Sequence, residues 1–451
     1  MKINKLTSAL VTLGIISLAS AAQAQTIIYL TGSTAARQQV FNALTTGNQV
    51  FTAGFTGKYP AAETGSDNTF AVEGNVAGVG DTIYNCNFTG SEAGIAAVAG
   101  QTLSQTLPND LNGVPGTTAW PLPGAPASYL TGATLGAMTG ATAQHASDLA
   151  MADTSQAVSR TSPTAYPLHS FGIVGVIPFT FVKAYDSAPD AANGRLTNVP
   201  VNAVYNNLIQ GASFNANNYT GNAADVSDGV AIVGRNFGSG TRANFLLNGA
   251  LFPIRGNVTQ FAFGTGNTLY PTTAPGVLTF GTTAAGVSLG AAAYNAGQNL
   301  YSVANDGFDG GSSVAKTLEV DWNGQGVIGI GYLGLGDAKN AVTAHDIAGH
   351  NATYLTYDGV YESDAAVISG SYPYWGTENL YGQITPSAAA LSAGAALQSG
   401  IVANVATLGA QAAGNDVRNG DSRTILPTSV MQVTRSHADS GFPVQCAAGA
   451  F

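Results

Sequence analysis

The segment Ile232-Val233-Gly234-Arg235-Asn236-Phe237-Gly238-Ser239-Gly240-Thr241-Arg242 places two arginines around a loop of small residues. The chain has only 15 Lys+Arg among 451 residues, so this is a local concentration of positive charge. A Gly-Ser-Gly-Thr turn exposes main-chain N–H groups and hydroxyls, and a guanidinium beside it can grip an oxyanion with charge-assisted bonds. Two further turns have the same character, Thr31-Gly32-Ser33-Thr34 and Thr89-Gly90-Ser91. Asp153, at the end of the apolar run in 147–155, adds a carboxylate able to accept a ligand proton. One such turn is an ordinary loop. Three, with an aspartate and an arginine, form a more specific pattern.

Each turn lies between an apolar run and a helical pattern. Residues 26–32 read as a strand, after which Val40, Phe41 and Leu44 recur on one helical face, with Ser33 or Thr34 as the natural N-cap. Residues 84–100 repeat the design with a helix starting near Glu92, and 229–251 repeat it again. Such turns put unpaired helix N-terminal amides and the positive end of a helix dipole at the carboxyl end of a strand, which suits an anion without net positive charge. Residues 171–184 predict a strand with a bend at Pro178, 201–211 an amphipathic helix stopped by Gly211, and 324–335 a buried strand. Residues 372–375 are expected in a strand, and 385–414 as a long Ala-rich helix behind Pro386. Strands alternating with helices predict an α/β architecture with mostly parallel sheets. Residues 45–84, 101–146 and 252–318 show no sustained period and read as insertions, either solvated loops or self-associating surfaces.

The N-terminus reads as a secretory signal peptide over 1–24: Lys2 and Lys5, an apolar run, then Ala22-Gln23-Ala24 as a cleavage site. That run is too short to span a bilayer, and no later segment is expected to do so. Gln25 begins the mature chain and is not a Cys, so no lipid anchor is indicated. The formal net charge is −10 and becomes more negative when the leader leaves, which argues against nucleic-acid binding. With 45% hydrophobic residues the chain can bury a substantial core, and its length suggests two or more domains. In an oxidising compartment, Cys86 and Cys446 are most simply read as a disulfide, with two buried thiols as the alternative.

The motifs resemble those of the periplasmic phosphate-binding proteins, the solute receptors of phosphate ABC transporters. The third loop is similar to that family's R-x-D-G-S-G-T, 30–36 to its first ligand loop, 90–95 to its second, and 150–155 to the strand ending in its aspartate. Residues 204–211 and 326–333 resemble two further family segments, in family order. The resemblance implies a two-lobed periplasmic binding protein fold of type II character, with the ligand cleft between the lobes. Lobe one would hold 25–168 plus 340–451, and lobe two 169–339. That layout brings Cys86 and Cys446 into one lobe.

By the same resemblance Ser33, Thr34 and Ser91 would donate to inorganic phosphate, and Arg235 would make the charged contact. Ser239, Gly240 and Thr241 would close the cradle, and Asp153 would accept the ligand's proton. An oxyanion without that proton would leave Asp153 unpaired and repelled, which discriminates against sulfate. The family's aspartate two residues after the arginine is Phe237 here, so Arg235 is either less neutralised or paired elsewhere. The implied product is a periplasmic or extracellular monomer without cofactor or catalytic residue, serving an inner-membrane permease. A phosphate scavenger or cell-surface protein on the same scaffold is the alternative.

Other residues read as structural. Arg37 and Arg242 could supply further charge to the site, but are expected rather as solvated side chains on first helical turns. His345 and His350, five apart, do not share a helical face, so no metal site is expected. The Tyr-Pro-Tyr-Trp run at 372–375 suits core or domain-edge packing.

Overall fold

The computed structural model describes residues 25–59, 69–100, 146–210, 214–254, 258–265, 298–304, 307–308, 310–322, 327–409, 415–420, 425–437 and 440–445. The expected leader, nearly all of 101–146 and Cys446 lie outside the described residues. In chain order the elements begin with β1 (Thr26–Gly32), α1 (Arg37–Thr45), β2 (Phe55–Tyr59), β3 (Thr69–Val76), β4 (Gly80–Asn87), α2 (Ser91–Val98), β5 (Leu149–Ala152) and β6 (His169–Lys183). Then come α3 (Ala191–Arg195), β7 (Asn198–Val199), α4 (Val201–Gln210), α5 (Asn217–Thr220), β8 (Gly229–Val233) and α6 (Gly240–Asn244). The rest are β9 (Gln260–Thr265), β10 (Gln298–Ala304), α7 (Gly311–Glu319), β11 (Val327–Gly334), α8 (Leu335–Val342), β12 (Thr353–Tyr357), α9 (Asp364–Ser369), β13 (Trp375–Gly382), α10 (Ala388–Gly409), β14 (Val433–His437) and β15 (Ser440–Gln445).

The fold is α/β. One eleven-stranded sheet runs β2-β3-β4-β1-β5-β13-β6-β11-β8, with β12 and β7 joined beside β6. It is mixed rather than mostly parallel. Parallel pairing joins β1 to β4 and β5, and β8 to β11, while β13 runs antiparallel to both β5 and β6. The expectation failed at 45–84, where β2 and β3 form an antiparallel extension on β4. β3 is buried on both faces along most of its length, so it lacks the polar alternation by which a strand is recognised.

β6 is the spine of the sheet. Its first part pairs with β13 as far as Trp375 opposite Pro178; from Phe179 onward it pairs with β11, and β12 joins its other edge. Pro178 produces no break in the strand. It stands at the exchange of partners, where a missing N–H disrupts the ladder least. Of the 372–375 run only Trp375 enters β13, but Tyr372, Tyr374 and Trp375 are all fully buried. Tyr374 stacks on Phe179 at 5.2 Å between ring centroids, as core packing predicts.

α10 is long and apolar enough, by length and composition, to cross a membrane, which corrects the expectation that no later segment would be. In the fold it packs on α1, β6 and β13. Ala390, Ala393, Leu397, Ile401 and Val405, spaced three or four apart, form its buried face, and Leu391 and Val402 are exposed. Small residues on that face let it lie close to the sheet: a Cβ on Gly394 would come within 2.3 Å of the Phe171 ring.

Cys86 is a free, fully buried thiol in β4, and Cys446, its partner in the expected disulfide, lies outside the described residues. Phe70, its partner across β3, packs with Phe88 and Phe41, and the Cys86 Sγ faces the Tyr84 carbonyl at 3.9 Å. In this apolar setting the thiol behaves as a small hydrophobe, and burial pushes its pKa up.

Candidate functional site

β1 and β5 run one way and β8 runs the opposite way across β13, β6 and β11, so the turns that follow them approach from the two ends of the sheet and meet at its middle. At the first turn Gly32 has φ +111°, and a Cβ on it would lie 1.9 Å from the Met151 carbonyl, so only glycine allows β1 to close on β5 here. The Ser33 amide donates to that carbonyl at 2.8 Å. Ser33 and Thr34 do not cap α1. The N-cap is Ala36, and the Ser33 hydroxyl donates instead to Glu378 Oε2 at 3.0 Å. Thr34 is half-buried beside it.

At the second turn the Ser91 hydroxyl donates to Asp153 Oδ1 at 2.6 Å and accepts the Asp153 amide at 3.2 Å. Glu92 is buried, and its Oε2 accepts from the Ser159 hydroxyl and the Arg160 amide, both at 2.9 Å. The third turn packs directly on these two. The Gly238 carbonyl accepts the Glu92 and Ala93 amides at 3.0 and 3.2 Å, so the protein itself occupies part of the α2 N-terminus. Ser239 caps α6 by accepting the Arg242 amide at 3.2 Å. Gly240 lies against Asp153 so closely that a Cβ would fall 1.5 Å from Oδ1. Thr241 follows, buried, and the amides of Gly240 and Thr241 have no hydrogen-bond partner among the described residues.

Arg235 is buried, and its Nε donates to the Phe308 carbonyl at 3.2 Å. Its charge reaches two carboxylates, Asp153 and Asp337 of α8. A Cβ on Gly311 would stand 2.0 Å from Asp337 Oδ2 and 3.5 Å from Arg235 Nη1, so the carboxylate and the guanidinium flank the same glycine. Asp337, raised by burial and held down first by Arg37 and then by Arg235, thus gives Arg235 a carboxyl neighbour that Phe237 does not. Phe237 takes a different role: the Arg160 and Arg242 guanidinium carbons lie 4.0 and 4.7 Å from its ring centroid, one from each side of the site. Arg242 is therefore not the solvated side chain expected. It is buried, and its Nη1 donates to the Arg235 carbonyl at 3.0 Å.

The electrostatics follow from dense burial. Burial pushes the Asp153 carboxyl up to about 6, against the lowering effects of Ser91, Arg235 and Thr154. Burial pushes Glu92 up to about 7, against the Arg160 amide and Ser159, with Asp153 adding to the rise. Glu378 is pushed well above the usual carboxylate range by burial and by Asp153. The site thus combines carboxyls near their proton-exchange range, a buried guanidinium, hydroxyls and main-chain amides. These are groups that can bind an oxyanion and share a proton with it.

The structure brings Ser91, Asp153, Ser239 and Gly240 into one contact set, with Arg235 acting on Asp153 through space and Ser33 joined through Glu378. The sequence reading missed Glu378, Asp337, Asn244 and Arg160. Asn244 donates to the Asp153 carbonyl at 2.7 Å. Glu378 had one visible signal, a lone charge inside the fully buried strand β13 in a chain with only 25 Asp+Glu. The histidines lie elsewhere: His350 Nδ1 is 2.9 Å from the Glu319 carbonyl, and His345 is beside Asp346. No group of three His, Cys, Asp or Glu is arranged for a metal among the described residues. Ser288, in Gly286-Val287-Ser288-Leu289-Gly290, has the spacing of a hydrolase nucleophile turn and lies outside the described residues.

No family model and no curated protein matches this chain. Among solved structures it is similar to proteins of phosphate uptake. One is a Clostridium perfringens protein assigned as a phosphate ABC transporter substrate-binding protein, with phosphate bound: 12% identity, TM-score 0.39, 84% of this chain and 97% of that one covered. An ABC-type phosphate transport receptor from Vibrio cholerae is 12% identical, at TM-score 0.29, with 56% and 74% covered. The Borrelia burgdorferi protein PstS is 10% identical, also at TM-score 0.29, with 79% and 87% covered.

Proposed function

We propose that the protein is an exported solute receptor that binds inorganic phosphate, or a similar tetrahedral oxyanion, between two lobes. Lobe one comprises 25–168 and 340–451, and lobe two 169–339, with β6 and the β12 pairing on it joining them. The observation that carries the reading is the position of Asp153: its carboxylate is buried where the Ser91 turn and Gly240 meet, within the field of Arg235. A carboxylate at that point accepts the proton of a partly protonated oxyanion. A fully ionised one such as sulfate would face an unpaired negative group, which costs several kcal/mol.

Thr34, Ser239, Gly240 and Thr241 supply hydroxyls and amides and Arg235 the charge, while the hydroxyls of Ser33 and Ser91 hold the carboxyls of Glu378 and Asp153 at the ligand. The bonds from α2 to the Gly238 carbonyl and the Phe237 contact with Arg160 join the two proposed lobes across the site, which supports reading this as the closed arrangement. Differential affinity for that arrangement drives closure on the ligand, and delivery is to an ABC permease at the inner membrane. No covalent step is involved. Titration calorimetry of the mature protein with phosphate, arsenate and sulfate tests the reading. Heat with phosphate and arsenate and little with sulfate is expected; no heat with any of the three refutes it.

A further inference from the structure

Asp153 is not the only carboxyl at this point. β13 runs antiparallel to β5, the ladder ends with Asn379 opposite Ala152, and the residues next in line, Glu378 and Asp153, lie close enough for their charges to repel. Cross-strand neighbours share a face. β13 also carries a register irregularity between Glu378 and Asn379 where it pairs with β6, a feature that re-aims a side chain. Glu378 is completely buried. Its Oε2 accepts the Ser33 hydroxyl, while Oε1, equally buried, has no hydrogen-bond partner among the described residues. A buried carboxyl oxygen left in this way, beside a serine of the first ligand turn and near Asp153, is an acceptor that no described residue satisfies.

We propose that Glu378 is a second proton-accepting contact for the bound oxyanion, so that the site selects dihydrogen phosphate over the monohydrogen form. This rests on the phosphate reading above. Asp153 and Glu378 each accept one ligand O–H, and the ligand's remaining oxygens take the donors of the three turns and Arg235. The complex then holds two protons between the ligand and the carboxyl pair. The charged and titratable groups facing that pair are Glu92 from α2, Arg235 from the turn ahead of α6 and Tyr374 ahead of β13. β6, on the far side of β13, presents Gly175 opposite Glu378. Arg235 is the one cation among these groups and is shared with Asp337, so it does not replace the second proton. Below the raised pKa of Glu378 the free protein carries that proton itself; as pH rises through it the proton must be drawn from solution, and affinity falls by up to about tenfold per pH unit.

The test is calorimetric titration with inorganic phosphate from pH 6 to pH 9, on the mature protein and on Glu378→Gln. The glutamine can still accept the Ser33 hydroxyl through its amide oxygen, and its NH₂ now favours an unprotonated ligand oxygen. The parent should lose affinity progressively above neutrality, and Glu378→Gln should abolish or reverse that loss. Equal pH slopes in both, or a flat profile in the parent, overturn the inference while leaving phosphate binding intact. A parent that binds no phosphate at any pH overturns the phosphate reading itself. If the variant does not fold, the parent alone decides: titrations at pH 9 in two buffers of different ionisation enthalpy should report uptake of about one proton, and zero uptake overturns it.

Discussion

Replacing Gly240 by alanine gives the sharpest test of how the third turn meets the second. The position opens α6 and its φ is not positive, so alanine costs nothing in conformation and would gain about 1 kcal/mol on helix propensity alone. What opposes it is contact: the new Cβ would lie 1.5 Å from Asp153 Oδ1, 2.6 Å from its Cγ and 2.5 Å from Ser91 Oγ. To reach ordinary contact distance the carboxylate must retreat by roughly 2 Å, which breaks its 2.6 Å bond from Ser91. Loss of a bond to a charged group costs about 1.5–3 kcal/mol, and overpacking adds about 1–3 kcal/mol. Net of the helix gain, Gly240→Ala should destabilise by about 1.5–5 kcal/mol and weaken phosphate binding. Gly336→Ala in α8 is the control, since nothing lies within 4 Å of its would-be Cβ; it should be neutral or slightly stabilising. The assay is urea denaturation followed by fluorescence, with phosphate calorimetry on the same preparations. If Gly240→Ala keeps the parent's midpoint and affinity, the close approach of the third turn to Asp153 is refuted.

Asp153→Asn should raise the phosphate Kd by about 10- to 100-fold and narrow the gap to sulfate; calorimetry with both anions checks it, and an unchanged ratio removes Asp153 from discrimination. Arg235→Ala should weaken binding by at least about tenfold through loss of a charge-assisted contact, read in the same titration. Phe237→Ala should weaken the closed form by about 1–2 kcal/mol, the worth of two partly desolvated cation–π contacts. A double-mutant cycle with Arg160→Ala should show coupling, and additive effects would exclude a Phe237–Arg160 interaction. Glu92 gives a pH prediction. Its pKa is raised from an unfolded value of about 4.3 to about 7, so the folded state binds more protons between these values. Stability should therefore be higher near pH 5 and decline as pH rises through about 7. Glu92→Gln should flatten that part of the melting-temperature profile, and an unaltered profile would show that Glu92 does not contribute.

Local chemistry made much of this protein legible from its sequence. The strand–turn–helix units show because a Gly-Ser turn between an apolar run and a helical period is a short-range signal. β1, β4, β8, α2 and α6 formed where such signals lay, and Asp153 ends its strand as read. The antiparallel β2–β3 extension stayed hidden because a strand buried on both faces carries no polar alternation, and the apolar length of α10 because alanine masks its character.

Partnerships across long separations were decided by the tertiary structure alone. Ser33 is 345 residues from Glu378, and no local rule prefers that carboxylate to capping α1. Arg235 finds Asp337 because α7 and α8 converge on β8's turn, Phe237 finds Arg160 across the site, and Cys86 is enclosed by aromatic packing. Sequence fixes what each residue can donate, accept or bury. Which partner it meets depends on how the sheet orders its strands, and that ordering is settled by the burial of apolar faces that no single segment encodes.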